Sequence, residues 1–129
     1  LNPNGLRHPI YKGKKNKFCS PAFNFDEVVT LPKDATLLAS NNINKISSIS
    51  FNHEKSEVWG IQYHPEIKYE KMIELIKFRK DRLINQRKAF RSYDEIDHHI
   101  SLIKNELSKS EINHRMIELK NWLGSINGN

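Results

Sequence analysis

The sequence has 129 residues, which is long enough for one globular domain with a buried core. Its 21 Lys and Arg residues against 15 Asp and Glu residues give a formal net charge of +6. The lysines are scattered, so a bias in composition explains this charge at least as well as an acidic partner does. A single cysteine, Cys19, excludes an internal disulfide and a multi-cysteine zinc site. No apolar run reaches the roughly 20 residues of a membrane helix, so we expect a soluble cytoplasmic protein.

The start of the sequence is typical of a piece of a longer polypeptide. It opens on Leu1, not on Met, and continues with the turn-forming residues Asn2, Pro3, Asn4 and Gly5. We therefore expect further polypeptide upstream of Leu1.

The part of the sequence before Pro65 is expected to form strands and turns, because apolar and β-branched runs there alternate with Asn, Asp, Gly and Pro. The predicted extended segments are 18–25, 28–31, 36–40, 46–51 and 57–63. The last two are predicted to form a hairpin through the polar connection 52–56. The nearly continuous apolar character of 57–63 favours a strand that is covered on both faces.

The part after Pro65 is expected to form three helices, because apolar residues recur there at helical spacing. The predicted helices span 69–90, then begin at Ser92 and run to about residue 107, and finally cover 112–123. Ser92 and Glu95 have the spacing of a capping box, Ser108 and Glu111 repeat it, and Gly124 is placed to end the last helix. We expect the Ile, Met and Trp stripes of these helices to be core.

The segment 58–66 carries the candidate chemistry, because an apolar strand runs there into His64, Pro65 and Glu66. In an extended chain, residues i and i+2 project from the same face about 6.5 Å apart at Cα. Pro65 restricts His64 to extended conformations and so favours contact between the two side chains. A carboxylate that binds Nδ1–H orients the imidazole, leaves Nε2 as a base and stabilises the imidazolium. His64 and Glu66 are therefore the candidate catalytic pair, which lacks only a nucleophile.

The complete string Trp59-Gly60-Ile61-Gln62-Tyr63-His64-Pro65-Glu66 resembles a segment of class I (Cys-His-Glu triad) glutamine amidotransferases. The resemblance extends to 7–11, 20–28, 31–32, 35–40 and 118–123, and it is greatest to the GMP-synthase-like members. It implies an α/β fold, namely the C-terminal part of a flavodoxin-like domain whose mostly parallel sheet is completed by upstream strands. It also implies hydrolysis of the glutamine side-chain amide to glutamate and ammonia through a cysteine thioester.

Two departures from the family pattern concern the substrate and the nucleophile. Phe23 and Asn24 align with a stretch that approaches the bound glutamine, which implies substrate binding there, although family members often have His at the position of Asn24. No Gly-x-Cys-x-Gly motif occurs in the sequence. Cys19 has no flanking glycine and is expected to be a small buried residue. The nucleophilic cysteine is therefore expected upstream, and the isolated chain is expected to be inactive.

The domain organisation expected is the C-terminal part of the amidotransferase domain over 1–68, followed by a helical extension over 69–129 that packs on the same domain. No cofactor and no metal are expected, since the adjacent His98 and His99 do not have the i, i+4 spacing that metal binding favours. The expected partners are glutamine, the upstream part of the same domain, and a synthetase domain or subunit that receives ammonia. Neither a membrane nor a nucleic acid is expected as a partner.

Two alternatives remain open at this point. An inactive homologue could bind RNA or an acidic protein through the basic segment 12–17 and the helical tail. A γ-glutamyl hydrolase of the same fold could act on a γ-glutamyl amine or peptide with the same His64 and Glu66.

Overall fold

The computed structural model describes residues 1–109 and 111–127. Within these residues the strands are β1 (Thr36–Ala39), β2 (Ser48–His53) and β3 (Ser56–Ile61), and the α-helices are α1 (Pro3–Arg7), α2 (Tyr69–Phe78), α3 (Tyr93–Leu107), α4 (Ile112–Arg115) and α5 (Ile117–Asn127). A 3-10 helix covers Pro9–Tyr11 and a π-helical turn covers Arg82–Gln86. The combination of a sheet with helices agrees with the predicted α/β class. In the described part of the chain, no helix has both the length and the apolar character needed to cross a membrane.

The described strands form one antiparallel sheet in the order β1-β2-β3. The predicted hairpin is confirmed, with Ser48 opposite Ile61 at one end and His53 opposite Ser56 at the other. The turn between β2 and β3 contains Glu54, whose φ of 53° lies in the left-handed region. A connection this short can join only antiparallel strands. The expected parallel pairing is therefore not found among the described strands, and 18–25 and 28–31 are not strands either.

The chain divides into two compact units. One contains Leu1–Glu66 together with the C-terminal segment that begins at Ile112, and the other contains Ile67–Glu111. Asn121 of α5 ties the C-terminal segment to the first unit by donating to the carbonyls of Ile10 (2.9 Å) and Lys12 (3.0 Å). The predicted domain boundary at residue 68 stays a prediction.

The core of the first unit lies between the N-terminal segment and the sheet. Its buried residues are Ile10, Tyr11, Leu38 and Ala39, and Leu1, Phe18, Trp59, Ile61 and Tyr63 pack against them. Asn2 caps α1, because its Oδ1 accepts from Gly5 N–H at 2.8 Å, and its own N–H donates to the carbonyl of Leu38 at 3.0 Å. These bonds hold α1 against β1.

The second unit is helical, and its buried residues are Tyr69, Ile73, Ile76, Ile96, Ile100 and Ile103. The helix predicted over 69–90 is wrong in extent, since α2 ends at Phe78. The N–H of Arg79 is shared between the carbonyls of Leu75 (3.1 Å) and Ile76 (3.2 Å), and the chain then rewinds as the π-helical turn.

The prediction that a helix begins at Ser92 is confirmed. Ser92 Oγ accepts from Glu95 N–H at 3.2 Å. The Glu95 carboxylate accepts from Arg91 N–H at 2.6 Å, one residue before the donor of a standard capping box. The predicted core stripe of α3 is confirmed by buried Ile96, Ile100 and Ile103.

The predictions for the last helix are largely wrong. Ser108 is the C-cap of α3 and does not begin a helix, whereas Ser110 lies outside the described residues. Gly124 does not end α5, which continues to Asn127. Trp122 and Leu123 are 49% and 52% exposed, so the apolar stripe expected to be core faces outward. The face of α5 turned towards the first unit is polar instead.

Candidate active site

The imidazole of His64 is hydrogen bonded to the carboxylate of Glu66, with 2.8 Å between Nδ1 and Oε1. An ionised carboxylate can only accept, so the proton lies on Nδ1 and the lone pair of the ring lies on Nε2. The two side chains are 41% and 51% exposed, which leaves the pair open to a reacting group from outside. This arrangement is an oriented base.

The pair lies beyond the strand, not at its last residues. β3 ends at Ile61, and the chain continues through Gln62, whose N–H donates to the carbonyl of Ser47 at 2.9 Å. The N–H of His64 donates to the carbonyl of Pro21 at 2.7 Å. The predicted strand to residue 63 is thus two residues too long. A turn at the buried Pro65, not an extended strand, brings Glu66 back to His64.

Of the two residues predicted to bind substrate, the structure brings Phe23 to His64. Their ring centroids are 6.5 Å apart and the rings are inclined by 54°. Asn24 is exposed, and its amide group donates to the carbonyl of Asp26 (3.1 Å) and to Asn44 Oδ1 (3.2 Å). The Asn24 side chain is therefore committed to its own loop and to the segment before β2.

Cys19 is exposed, so the expectation that it is a buried core residue is wrong. The preceding residue takes the interior position instead. The ring of Phe18 packs 6.1 Å from Tyr11 and 5.5 Å from Tyr63. Neighbouring residues in an extended chain face opposite ways, so burial of Phe18 turns Cys19 outward.

A buried polar network directly before His64 was missed by sequence reasoning. Glu118 Oε1 accepts from Tyr63 Oη at 2.7 Å, and Oε2 accepts from Lys14 Nζ at 2.9 Å. Tyr11 donates in turn to Tyr63 Oη at 2.8 Å, since the Tyr63 proton is used on Glu118. Lys14 Nζ also donates to the carbonyl of His114 at 2.9 Å and lies 4.4 Å from the centroid of the Phe18 ring. Every donor and acceptor in this network has a partner.

Burial controls the titration of this network. Loss of solvent raises the pKa of the hydroxyls of Tyr63 and Tyr11 above the ordinary value, so both stay neutral. Loss of solvent also lowers the pKa of Lys14, while the hydrogen bond to Glu118 acts in the opposite direction. A neutral Tyr63 can donate to the Glu118 carboxylate throughout the physiological range.

Arg115 makes a second contact next to the candidate pair. Its Nε donates to the carbonyl of Pro65 at 3.2 Å, and both residues are buried. Arg115, Glu118 and Asn121 are spaced by three residues, so they lie on one side of the C-terminal segment. This polar spacing was the signal available in the sequence. It does not reveal the partners, which lie 50 or more positions away.

A cavity of about 220 Å³ lies in the first unit beside Tyr63. Its lining residues include Phe18, Ser20, Asn41, Asn44, Gln62 and Tyr63. The buried oxygens Ser20 Oγ and Gln62 Oε1 have no hydrogen-bond partner within the described residues. Among those same residues, no cluster of three or more His, Cys, Asp and Glu side chains could hold a metal ion.

About half of the chain is similar to curated enzymes. The gamma-glutamyl-L-1-hydroxyisopropylamide hydrolase of a Pseudomonas species is 37% identical over 67 residues, which cover 52% of this chain and 22% of the relative. A subunit of the glutamine-hydrolyzing GMP synthase of Methanosphaera stadtmanae is 38% identical over 69 residues, which cover 54% of this chain and 34% of the relative. The resemblance to class I glutamine amidotransferases of the GMP-synthase-like kind is confirmed.

The extent of this similarity is partial. The chain spans about a fifth to a third of the length of these curated amidotransferase relatives. No protein-family model matches the chain, and no solved structure matches it.

The amidotransferase-like site can accept and return a proton at one defined atom. A group within about 2.6–3.2 Å of His64 Nε2 could pass its proton to the ring. The Glu66 carboxylate on the other side would stabilise the charge that results. The open face of the imidazole leaves room for a thiol and a substrate.

Proposed function

We propose that this chain supplies the histidine and the glutamate of a Cys-His-Glu triad that hydrolyses the side-chain amide of glutamine to glutamate and ammonia. His64 is the general base and acid, and Glu66 orients it. The observation that carries the proposal is the 2.8 Å bond from Nδ1 to Glu66 on an exposed imidazole. The similarity of this chain to enzymes named for glutamine and γ-glutamyl amide hydrolysis supports it.

The proposed reaction moves one proton twice through Nε2. His64 takes the proton of a cysteine thiol, and the sulfur attacks the amide carbon of glutamine. The imidazolium then protonates the departing nitrogen, so ammonia leaves and a thioester remains. Water attacks the thioester while His64 takes its proton, and the same proton returns to the sulfur as glutamate is released. Glu66 stabilises the imidazolium in both halves.

The nucleophile of this proposal belongs to polypeptide outside the 129 residues. Cys19 lies between Phe18 and Ser20, without the glycines that permit a strained nucleophile turn. We propose that the upstream part of a flavodoxin-like domain contributes this cysteine together with the remaining strands of the sheet. Relatives that are named for one subunit of GMP synthase favour a synthetase, fused or separate, for the role of ammonia acceptor.

A second candidate function is hydrolysis of a different γ-glutamyl amide. The relative named gamma-glutamyl-L-1-hydroxyisopropylamide hydrolase, which is 37% identical over 67 residues, favours it. The same proton transfers at His64 would then release an amine in place of ammonia. The RNA-binding alternative has less support, because Lys14 of the basic segment is buried against Glu118 and cannot reach a phosphate.

The test compares substrates and variants in the full-length protein that contains this chain. Wild-type protein, His64→Ala and Glu66→Gln are assayed for glutamate release from glutamine and from a γ-glutamyl alkylamide. We expect His64→Ala to lower kcat by at least about 10³-fold and Glu66→Gln by a smaller factor. His53→Ala, at the exposed end of β2, is the matched control. Full activity of His64→Ala would refute the proposal, and the ratio of the two kcat/KM values distinguishes the substrates.

A further inference from the structure

The C-terminal segment contacts the residues on either side of His64. Glu118 accepts a hydrogen bond from the side chain of Tyr63, the residue before His64, at 2.7 Å. Arg115 donates to the carbonyl of Pro65, the residue after His64, at 3.2 Å. Two residues three positions apart thus hold both neighbours of the same imidazole.

The contact made by Arg115 lies on the peptide that carries Glu66. The carbonyl of Pro65 belongs to the peptide bond between Pro65 and Glu66, so its orientation determines where the Glu66 side chain begins. Arg115 is 7% exposed and Pro65 is also buried. A hydrogen bond between two buried groups is strongly maintained, because leaving either group unsatisfied is costly.

The contact made by Glu118 is itself held rigidly. One carboxylate oxygen binds Tyr63 Oη, and the other binds Lys14 Nζ at 2.9 Å. Tyr11 binds the same Tyr63 hydroxyl at 2.8 Å. Glu118 is 1% exposed, so water does not compete for these bonds. The Tyr63 side chain has little freedom to move.

His64 has few restraints of its own. Its backbone N–H donates to the carbonyl of Pro21 at 2.7 Å, but 41% of its side chain is exposed. An exposed ring with one carboxylate partner can turn together with that partner. The direction of Nε2 is therefore determined by the backbone of residues 63–66. Displacement of a reacting group by about 1 Å can cost about 10²-fold in rate.

We infer that Arg115 and Glu118 are positioning residues that hold the backbone on both sides of His64 and thereby aim its Nε2. This inference rests on the proposed function, because it assigns a purpose to a proton-transferring His64. Arg115 and Glu118 touch neither substrate nor nucleophile. They act through Pro65 and Tyr63.

The experiment uses the full-length protein with Arg115→Met and Tyr63→Phe, each measured for kcat and KM with glutamine. We expect kcat to fall about 10- to 100-fold, with KM changed by less than about 3-fold, because ground-state binding does not depend on the aim of Nε2. Arg115→Lys, which can still donate to the Pro65 carbonyl, should recover part of the loss. The ¹⁵N resonances of the His64 ring should shift or broaden in Arg115→Met and Tyr63→Phe, reporting a loosened bond to Glu66.

The matched control is Gly5→Ala, which strains the same unit at the contact between α1 and β1. A purely structural role predicts that Gly5→Ala and Arg115→Met lower kcat alike once their stabilities are matched. A loss in Arg115→Met and Tyr63→Phe alone supports positioning. If Arg115→Met does not fold, Tyr63→Phe decides the question by the same measurements.

The outcomes also separate this inference from the proposed function. If His64→Ala is inactive while Arg115→Met and Tyr63→Phe keep wild-type kcat and His64 resonances, the positioning role is wrong and the proposed function stands. If His64→Ala is fully active, the proposed function fails, and the His64 resonances still show whether Arg115 and Tyr63 orient the ring.

Discussion

Lys14 and Glu118 form an ion pair with 2.9 Å between Nζ and Oε2, and each side chain is 1% exposed. The ammonium group also donates to the carbonyls of His114 (2.9 Å) and Arg115 (3.3 Å), so all three of its protons are used. This pair joins the segment after the 3-10 helix to α5, more than 100 positions later. A polar contact, not the exposed Trp122 and Leu123, thus attaches the last helix to the first unit.

The stability of the first unit should depend on this ion pair. We expect Lys14→Met to lower the free energy of unfolding by about 3–5 kcal/mol, because it leaves the Glu118 carboxylate buried without its cation. Urea unfolding followed by tryptophan fluorescence measures this, since both tryptophans, Trp59 and Trp122, lie in the first unit. Lys12→Met, on the exposed part of the same segment, is the control. A change below about 0.5 kcal/mol in Lys14→Met would contradict the expectation.

Two glycines provide an opposed pair of substitutions. A Cβ at Gly5 would lie 2.1 Å from the carbonyl oxygen of Leu38, so the backbone of β1 or α1 must move. We expect Gly5→Ala to cost at least about 1–3 kcal/mol. A Cβ at Gly124 meets nothing within 4 Å, and an alanine inside α5 should add up to about 1 kcal/mol. The same fluorescence measurement checks both, and equal effects of the two substitutions would show the expected contact at Gly5 to be wrong.

The cap of α3 offers a test in the second unit. Ser92 Oγ satisfies the N–H of Glu95, so Ser92→Ala should lower stability by about 1 kcal/mol. Ser101 is exposed inside the same helix, and its hydroxyl donates only to the carbonyl of His98. Ser101→Ala should be neutral or slightly stabilising, because alanine is the better helix former. Thermal unfolding followed by circular dichroism compares the two. A greater loss in Ser101→Ala would mean that the cap does not hold.

The second unit should also lose stability in mild acid. Burial against its surroundings, together with the nearby His98, lowers the pKa of His99 below the ordinary value of 6.5. The unfolded chain then binds the proton more readily than the folded one. The contribution of a neutral His99 is complete above pH 6.5 and is lost as the pH falls through the lowered folded pKa.

We expect the helical signal of the second unit to melt at lower temperature as the pH is reduced from 7.5 to about 5, and His99→Gln to reduce this dependence. The exposed His53→Gln is the control, since it should leave the slope of the melting temperature against pH unchanged. An identical slope in His99→Gln and the wild-type chain would exclude His99 as the group responsible.

Local features of this protein could be predicted from the sequence because their causes are local. The hairpin of β2 and β3 follows from two apolar runs separated by a short polar connection. The start of α3 follows from the hydroxyl of Ser92 and its distance to Glu95. The extent of α2 did not follow, since helical spacing continues past Phe78 while the backbone changes its winding.

The sequence by itself determined that His64 and Glu66 can meet, because a single proline separates them and removes most of their relative freedom. Only the tertiary structure decided that Arg115 and Glu118 hold the neighbours of His64. Contacts across 50 or more positions depend on which face of a helix is buried. The apolar pattern of α5 indicates the wrong face, because its buried side is closed by an ion pair and hydrogen bonds.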